Sequence, residues 1–341
     1  MRIGIIGLGK MGMLHAAIVN SLPEAELVAI AEPTEFIKSA LQVLTPDIQV
    51  YQDYREMITK SDLQGVFITT PVHLHIPQAL DCVKEGLPVF IEKPLSCTAK
   101  EAEQLVELVE AKKVVSMIGY GAYYFDMFRK GKEIIDAGVL GKLLNFGATL
   151  YVSQIFTSRK GWRYKRKEAG GGVLNNLTSH LIFTLLWYFG EVEEVVSLVE
   201  KWYSENVEDY FHSLIYFKSG LKGWVDSSWS MDNYRLPRAQ IEIHGTNGRL
   251  SIGDDYVKLF LREGRDNYPA GWSQWRGPDL YQGVSINIGG EQFTREDQAF
   301  LQAIEKQQIP FLNISWGYRV QKVIDAIYLS GENNGQKIKI N

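Results

Sequence analysis

The stretch Arg2-Ile3-Gly4-Ile5-Ile6-Gly7-Leu8-Gly9-Lys10-Met11-Gly12 decides how the chain begins to fold. Residues 3–6 are an apolar run that reads as a buried strand, and residues 11–22 read as an amphipathic helix. The glycines between them have distinct tasks. Gly7 permits a tight turn, Gly9 lets the backbone approach a pyrophosphate, and Gly12 lets the helix pack close to the strand. Lys10 and Met11 then open the helix whose amino terminus faces the phosphates. Twenty residues beyond Gly12, Glu32 ends the second apolar run. A carboxylate there accepts from ribose hydroxyls and repels a 2′-phosphate, so NAD is the expected cofactor and NADP the less favoured one.

The same alternation continues through further apolar runs at 27–31, 48–51, 66–69, 89–91 and 114–118. Asp53 and Thr98 each precede a helical pattern with a glutamate three residues on, the spacing of a capping box. Residues 1–120 are therefore expected to be an NAD-binding Rossmann domain, a doubly wound parallel sheet. After a helix at 124–137 the pattern changes to strands at 143–155, 192–203, 210–217, 221–229, 239–244 and 256–261, with helices at 173–188, 295–306 and 317–329. Residues 121–341 are expected to form a substrate-binding and oligomerisation domain of the α+β type with a large, mostly antiparallel open sheet. Residues 262–290 carry Gly, Pro and Trp with little periodicity and read as a lid or an oligomer arm.

Composition narrows the function classes. In 341 residues, 36 Lys and Arg face 40 Asp and Glu, a formal charge of −4 that argues against a dedicated nucleic-acid binder. Cys82 and Cys97 have no ligand spacing around them, so neither a disulfide scaffold nor a metal site is expected, and the chain reads as reduced and cytoplasmic. The longest apolar stretch, 181–189, falls far short of the ~18 residues of a membrane span.

Three other segments carry chemistry: Thr69-Thr70-Pro71-Val72-His73-Leu74-His75, Glu92-Lys93-Pro94-Leu95, and Gly170-Gly171-Gly172-Val173-Leu174-Asn175-Asn176-Leu177-Thr178-Ser179-His180. With the glycine loop and Gly245-Thr246-Asn247-Gly248-Arg249-Leu250, they make the whole chain similar to the glucose-fructose oxidoreductase/inositol dehydrogenase family, Gfo/Idh/MocA. The resemblance implies a Rossmann domain followed by an α/β domain, and NAD(P)-dependent oxidation or reduction of a sugar or cyclitol hydroxyl. It implies cofactor contacts from Thr70, Pro71, His75, Glu92 and Lys93. His75 matches the family's motif histidine, while His73 reads as structural.

The chemistry has its own argument. Moving hydride from a secondary alcohol needs one group to take the hydroxyl proton and another to hold the developing alkoxide. Lys93 and His180 can fill these roles in either order. His180 follows Asn176 by four residues on an expected helix, so the two share a face. Members of the family commonly carry Asp at the position of Asn176. An amide can orient the imidazole but lacks the charge that would raise its pKa, so His180 is expected to be a weaker base. The polar residue often found after threonine-proline is Val72 here, and Tyr123 stands where many relatives have Arg.

Arg159-Lys160-Gly161-Trp162-Arg163-Tyr164-Lys165-Arg166-Lys167 sets six basic residues in nine positions just before these glycines. Trp162 could pack on a sugar face and Arg163 could pair bidentately with an anion, so the sugar-type substrate is read as an anionic one. Tyr123, Trp162, Arg163, Asn176 and His180 are the expected substrate contacts. Strand-borne aromatics such as Trp202, Tyr210 and Trp224 suggest a covered sheet face and a homodimer or homotetramer. The alternatives are a catalytically silent NAD-binding regulator of the same fold and an NAD-dependent glycosidase.

Overall fold

In the computed structural model, which describes residues 1–35 and 47–340, β1 (Arg2–Ile6), β2 (Glu26–Ala31), β3 (Gln49–Tyr51), β4 (Gly65–Ile68), β5 (Val89–Glu92) and β6 (Ser116–Gly119) form one sheet. Its order is β3-β2-β1-β4-β5-β6 and every pairing is parallel. Ile3, Ile5, Phe67, Ile68, Phe90 and Ile91 are fully buried, as central strands covered on both faces must be. At the Tyr54–Lys60 helix Asp53 caps the Arg55 N–H, and at Ala99–Lys112 Thr98 caps the Glu101 N–H. Neither is a full capping box: the Glu101 carboxylate reaches back to the N–H of Cys97 instead.

The covering of this sheet is not finished by residue 120. The first unit consists of Met1–Gly121 together with Gly283–Gln321. The returning helix Glu291–Lys306 sets Phe300 edge-on against Phe67 and Phe90, with ring centroids 5.2 and 5.8 Å apart. The Leu312 carbonyl accepts the Ile118 N–H at 2.8 Å. A domain division at 120/121 with everything afterwards in the second domain thus leaves out the return, whose apolar helix face covers the apolar rings of β4 and β5.

The second unit, Ala122–Gln282 with Lys322–Asn341, is built on a nine-stranded sheet. Its strands are β7 (Leu143–Tyr151), β8 (Val192–Glu200), β9 (Tyr210–Phe217), β10 (Lys222–Ser228), β11 (Arg238–Gly245), β12 (Gly248–Gly253), β13 (Tyr256–Leu261), β14 (Gly271–Arg276) and β15 (Ile338–Lys339). The order is β14-β13-β12-β11-β7-β10-β9-β8-β15, antiparallel throughout except for the parallel β7–β10 pair. β8 ends at Glu200 rather than at residue 203 because the next N–H groups, from Trp202 to Ser204, turn to donate to the Asp209 carboxylate.

β12, β14 and β15 were not apparent in the pattern. β14 lies inside the 262–290 segment, which therefore supplies a sheet edge rather than only a loop. The helix Ser179–Phe189 packs on one face, with Phe189 against Phe146 and Phe217. The other face exposes Leu198, Leu214, Trp224 and Trp272.

Candidate active site

The three glycines of the first loop are needed for three different reasons. Gly7 sits at φ +86°, and a Cβ there would lie 2.6 Å from Thr70 Cγ2. At Gly12 a Cβ would lie 2.1 Å from the Gly7 carbonyl oxygen, so the helix Lys10–Ser21 cannot approach the loop with any larger residue. Gly9 differs, because a Cβ there would meet nothing within 4 Å. It occupies the N-cap position, where no side chain caps the helix. Open space before an uncapped helix amino terminus fits a pyrophosphate.

Glu32 closes this loop from the side. It is 6% exposed, and its carboxylate accepts the Leu8 N–H at 2.8 Å and the Thr34 N–H at 2.9 Å. Each oxygen keeps acceptor capacity for a hydroxyl. Thr69 Oγ1 donates to the Gly7 carbonyl at 2.6 Å, and Thr70 Oγ1 donates to Gln78 at 2.6 Å, so the Thr-Thr-Pro turn is fastened to the glycine loop.

His75 requires a correction. Both of its ring nitrogens meet backbone carbonyls, Nδ1 that of Pro94 at 2.9 Å and Nε2 that of Thr70 at 2.8 Å, and the ring is buried. Burial holds its pKa below the ordinary imidazole value, even though the two carbonyls pull the other way. A neutral ring carries a single N–H, so it donates to one of these carbonyls and rests its other nitrogen against the second, between the Thr70-Pro71 and Lys93-Pro94 turns, which leaves neither nitrogen open to a cofactor.

Glu92 ends β5 and turns its carboxylate back on its own turn, where Oε2 accepts the Lys93 N–H at 3.0 Å. The Lys93-Pro94 peptide is cis, and Lys93 itself is half-buried. Behind Glu92 lies His15, whose Nε2–H donates to Glu92 Oε1 at 3.0 Å and whose Nδ1–H donates to Asp297 Oδ1 at 2.7 Å. Burial alone would neutralise this imidazole, but the Asp297 and Glu92 carboxylates outweigh it and hold the pKa well above the ordinary value. Burial likewise would raise Glu92, and here His15 and Lys93 prevail and hold it low. Sequence reasoning missed His15, whose only local sign is a polar residue one helical step past Gly12 on an otherwise apolar face.

The second unit holds a cluster of its own. Gly170 adopts φ +75°, while Gly171 and Gly172 leave room for Tyr328 and Glu208; their Cβ atoms would lie 1.7 Å from Tyr328 Oη and 2.0 Å from the Glu208 carbonyl oxygen. Glu208 Oε1 accepts from the N–H of Gly172 and Leu174 and from the Tyr328 hydroxyl at 2.9, 3.0 and 2.8 Å. Burial raises the Glu208 carboxyl above its usual range despite these donors.

This carboxylate therefore anchors the start of the segment that carries Asn176 and His180. That start is not α-helical. Leu174–Thr178 is a π-helical turn, in which Thr178 Oγ1 bonds back to the Val173 carbonyl at 3.1 Å, before the α-helix Ser179–Phe189 begins. Asn176 and His180 are both half-buried, and Tyr123 packs its ring 4.9 Å from that of Trp187 on the same helix.

The basic run is partly used within the fold. Arg166 pairs with Glu332 at 3.0 Å and lies over the Tyr328 ring at 4.1 Å, Lys165 pairs with Glu168, and Arg159 donates to the Gln154 carbonyl. Arg163 is exposed and stacks over Trp162 at 5.0 Å. Among the described residues no group of three or more His, Cys, Asp or Glu is arranged to hold a metal ion, and no helix is long and apolar enough to cross a membrane.

Comparison with known proteins agrees with this geometry. Residues 1–120 match the model of an oxidoreductase family with an NAD-binding Rossmann fold, and residues 128–251 match the GFO/IDH/MocA C-terminal domain. The levoglucosan dehydrogenase of Pseudarthrobacter phenanthrenivorans is 25% identical, over 96% of this chain and 95% of that protein. The myo-inositol 2-dehydrogenase of Thermotoga maritima is 26% identical over 79% and 85%. A solved levoglucosan dehydrogenase in complex with NADH superposes with a TM-score of 0.89 at 24% identity, covering 100% of this chain and 99% of that one, a likeness of fold. The glycine loop, the Glu-Lys-Pro turn and the open-sheet second unit thus belong to an NAD-binding oxidoreductase of the GFO/IDH/MocA family.

Proposed function

We propose that this chain is an NAD-dependent dehydrogenase that moves hydride between nicotinamide and a secondary hydroxyl of a sugar, sugar acid, nucleotide sugar or cyclitol. The observation that carries this reading is the Glu92-Lys93-Pro94 turn: its lysine N–H is held by Glu92, and its following carbonyl lies 2.9 Å from the buried His75 ring, in the unit that holds the NAD loop. When bound, NAD accepts the hydride. Gly9 and the helix amino terminus hold its pyrophosphate, and Glu32 its ribose. Lys93 and His180 divide the remaining work, one taking the hydroxyl proton and the other stabilising the oxygen as charge develops on it. Asn176 orients His180.

The matched relatives act on levoglucosan and on myo-inositol, so those two compounds, a sugar acid and a nucleotide sugar form the substrate panel. Arg163 on Trp162 favours the anionic members. Loss of turnover with salt through KM, together with a raised KM in Arg163→Ala, supports that choice; a neutral compound turned over best without salt dependence rejects it. The exposed Leu198, Leu214 and Trp224 on neighbouring strands support pairing of two copies through the open sheet face. The buried thiols of Cys82 and Cys97 suit a reducing, cytoplasmic setting.

Lys93→Met tests the central assignment. It should leave NADH binding intact while lowering kcat and kcat/KM together by ~10²-fold or more. Near-parental turnover would make Lys93 a structural lysine.

A further inference from the structure

Three elements far apart in sequence meet at one buried imidazole. His15 comes from the helix that starts at the glycine loop, Glu92 from the residue before Lys93, and Asp297 from the returning helix, 282 residues from His15. The ring is fully buried and flanked by Phe67, Phe90 and Phe293 at centroid distances of 5.4, 5.1 and 6.4 Å. Water is thereby excluded from the ring, both of whose nitrogens are paired, while Asp297 Oδ2 has no hydrogen-bond partner among the described residues. Glu92 divides its two oxygens between His15 and the Lys93 N–H. Whatever sets the position of the Glu92 carboxylate therefore also sets the backbone of Lys93.

A second acid faces the same place. Glu296 is buried, and its Oε1 has no hydrogen-bond partner. Its carboxyl sits where Gly119 and Gly121 leave room, 3.0 and 3.2 Å from where their Cβ atoms would be. Burial, with the charges of Glu92 and Asp297, holds it well above the usual carboxylate range. The charged or titratable groups facing this centre are His15, Glu92, Lys93, Asp297 and Glu296, and His75 acts on Glu92 from the far side. All but His15 come from elements other than its helix.

We propose that His15 is a positioning residue for Lys93: it fixes the Glu92 carboxylate that orients the Lys93 turn, and so links the cofactor-loop helix to the reacting amine. This rests on the dehydrogenase reading above, with Lys93 as a reacting group. The Glu-Lys-Pro turn then works only with its glutamate anchored from behind, and Asp297 completes the anchor by holding the other imidazole nitrogen.

The test is a double-substitution cycle on purified full-length enzyme with the panel compound that is turned over fastest. His15→Gln should bind NADH within about threefold of the parent, yet lower kcat by ~10²-fold, the scale of a misplaced reacting group. In the Lys93→Met background the same substitution should change kcat by less than about twofold, because the group it positions is already gone. Equal fold-losses in the two backgrounds, or unchanged kcat in His15→Gln, overturn the proposal. Asp297→Asn keeps an acceptor for the imidazole and should show a smaller loss with the same non-additivity; it decides the matter if His15→Gln gives no cooperative urea transition. A Lys93→Met enzyme with parental turnover refutes the reading of Lys93 itself, a result distinct from any His15 outcome.

Discussion

Glu208 and Gly172 are joined from both directions: the two Glu208 carboxylate oxygens lie 2.9 and 2.8 Å from the Gly172 nitrogen, and the Glu208 carbonyl stands 2.0 Å from where a Gly172 Cβ would be. The turn before His180 thus has no freedom to move relative to the strand that follows Glu208. Glu208→Ala should lower kcat by ~10²-fold with NADH affinity unchanged, since the glycine loop belongs to the other unit. Glu208→Gln, which keeps an acceptor oxygen, should recover most of that loss. An acid whose pKa folding raises makes stability fall as pH rises from its unfolded pKa, ~4.3, toward its folded one. Urea titrations against pH should show that slope in the parent and not in Glu208→Gln.

Gly9 and Gly12 should separate binding from folding. Gly9 has φ −67° and open space around its missing Cβ, so Gly9→Ala should stay within ~0.5 kcal/mol of parental stability. Its Kd for NAD should nonetheless rise by about tenfold or more. Gly12→Ala pushes a methyl into the Gly7 carbonyl and should cost about 2–3 kcal/mol in urea unfolding. The reverse pattern would mean that the phosphates do not lie on Gly9.

Glu32 sets the choice of cofactor. Calorimetry should show NADH bound at least ~100-fold more tightly than NADPH, because a 2′-phosphate would meet a buried carboxylate of like charge. Glu32→Gln should narrow that ratio while keeping an acceptor for Leu8 or Thr34. Equal affinities in the parent enzyme would remove Glu32 from the ribose site.

Asp209 offers a pH test of stability apart from the chemistry. Its carboxylate accepts the N–H groups of Trp202, Tyr203 and Ser204, the Ser204 hydroxyl and the Trp229 indole N–H. Burial would raise it, yet these donors prevail and hold its pKa below the usual value. A depressed folded pKa gives stability that is present above the unfolded value, ~3.9, and lost as pH falls through the folded one. Asp209→Ala should therefore cost roughly 3 kcal/mol at neutral pH, and the gap from the parent should narrow in acid. A gap independent of pH would show that packing, not charge, is what Asp209 supplies.

What could be read from the sequence was local. Gly7, Gly9, Gly12 and Glu32 lie within one strand-turn-helix unit and its neighbour, and Lys93 follows its strand directly, so their places in the fold were legible from spacing. Asp297 reaches His15 across 282 positions and Tyr328 reaches Glu208 across 120, and no period or cap encodes such a meeting. His75 was misassigned as a cofactor contact because a histidine in a motif looks like a ligand until both of its nitrogens are accounted for. β14 was missed because its inward residues are only half-buried, which leaves a weak alternation at the sheet edge.

The return of residues 283–321 to the first unit gives synthesis an order of events. As the chain leaves the ribosome, the six parallel strands are complete by residue 119, yet Phe67 and Phe90 still lack Phe300, and Ile118 still lacks the Leu312 carbonyl. His15 and Glu92 must wait for Asp297 through the translation of the entire nine-stranded sheet but its last short strand. During that interval the nascent chain carries an uncovered aromatic surface and a half-made ion pair, a state for chaperones to shield. A gene fragment ending near residue 120 would stop the protein in that condition, so the dinucleotide-binding unit is whole only with its distant closing helix.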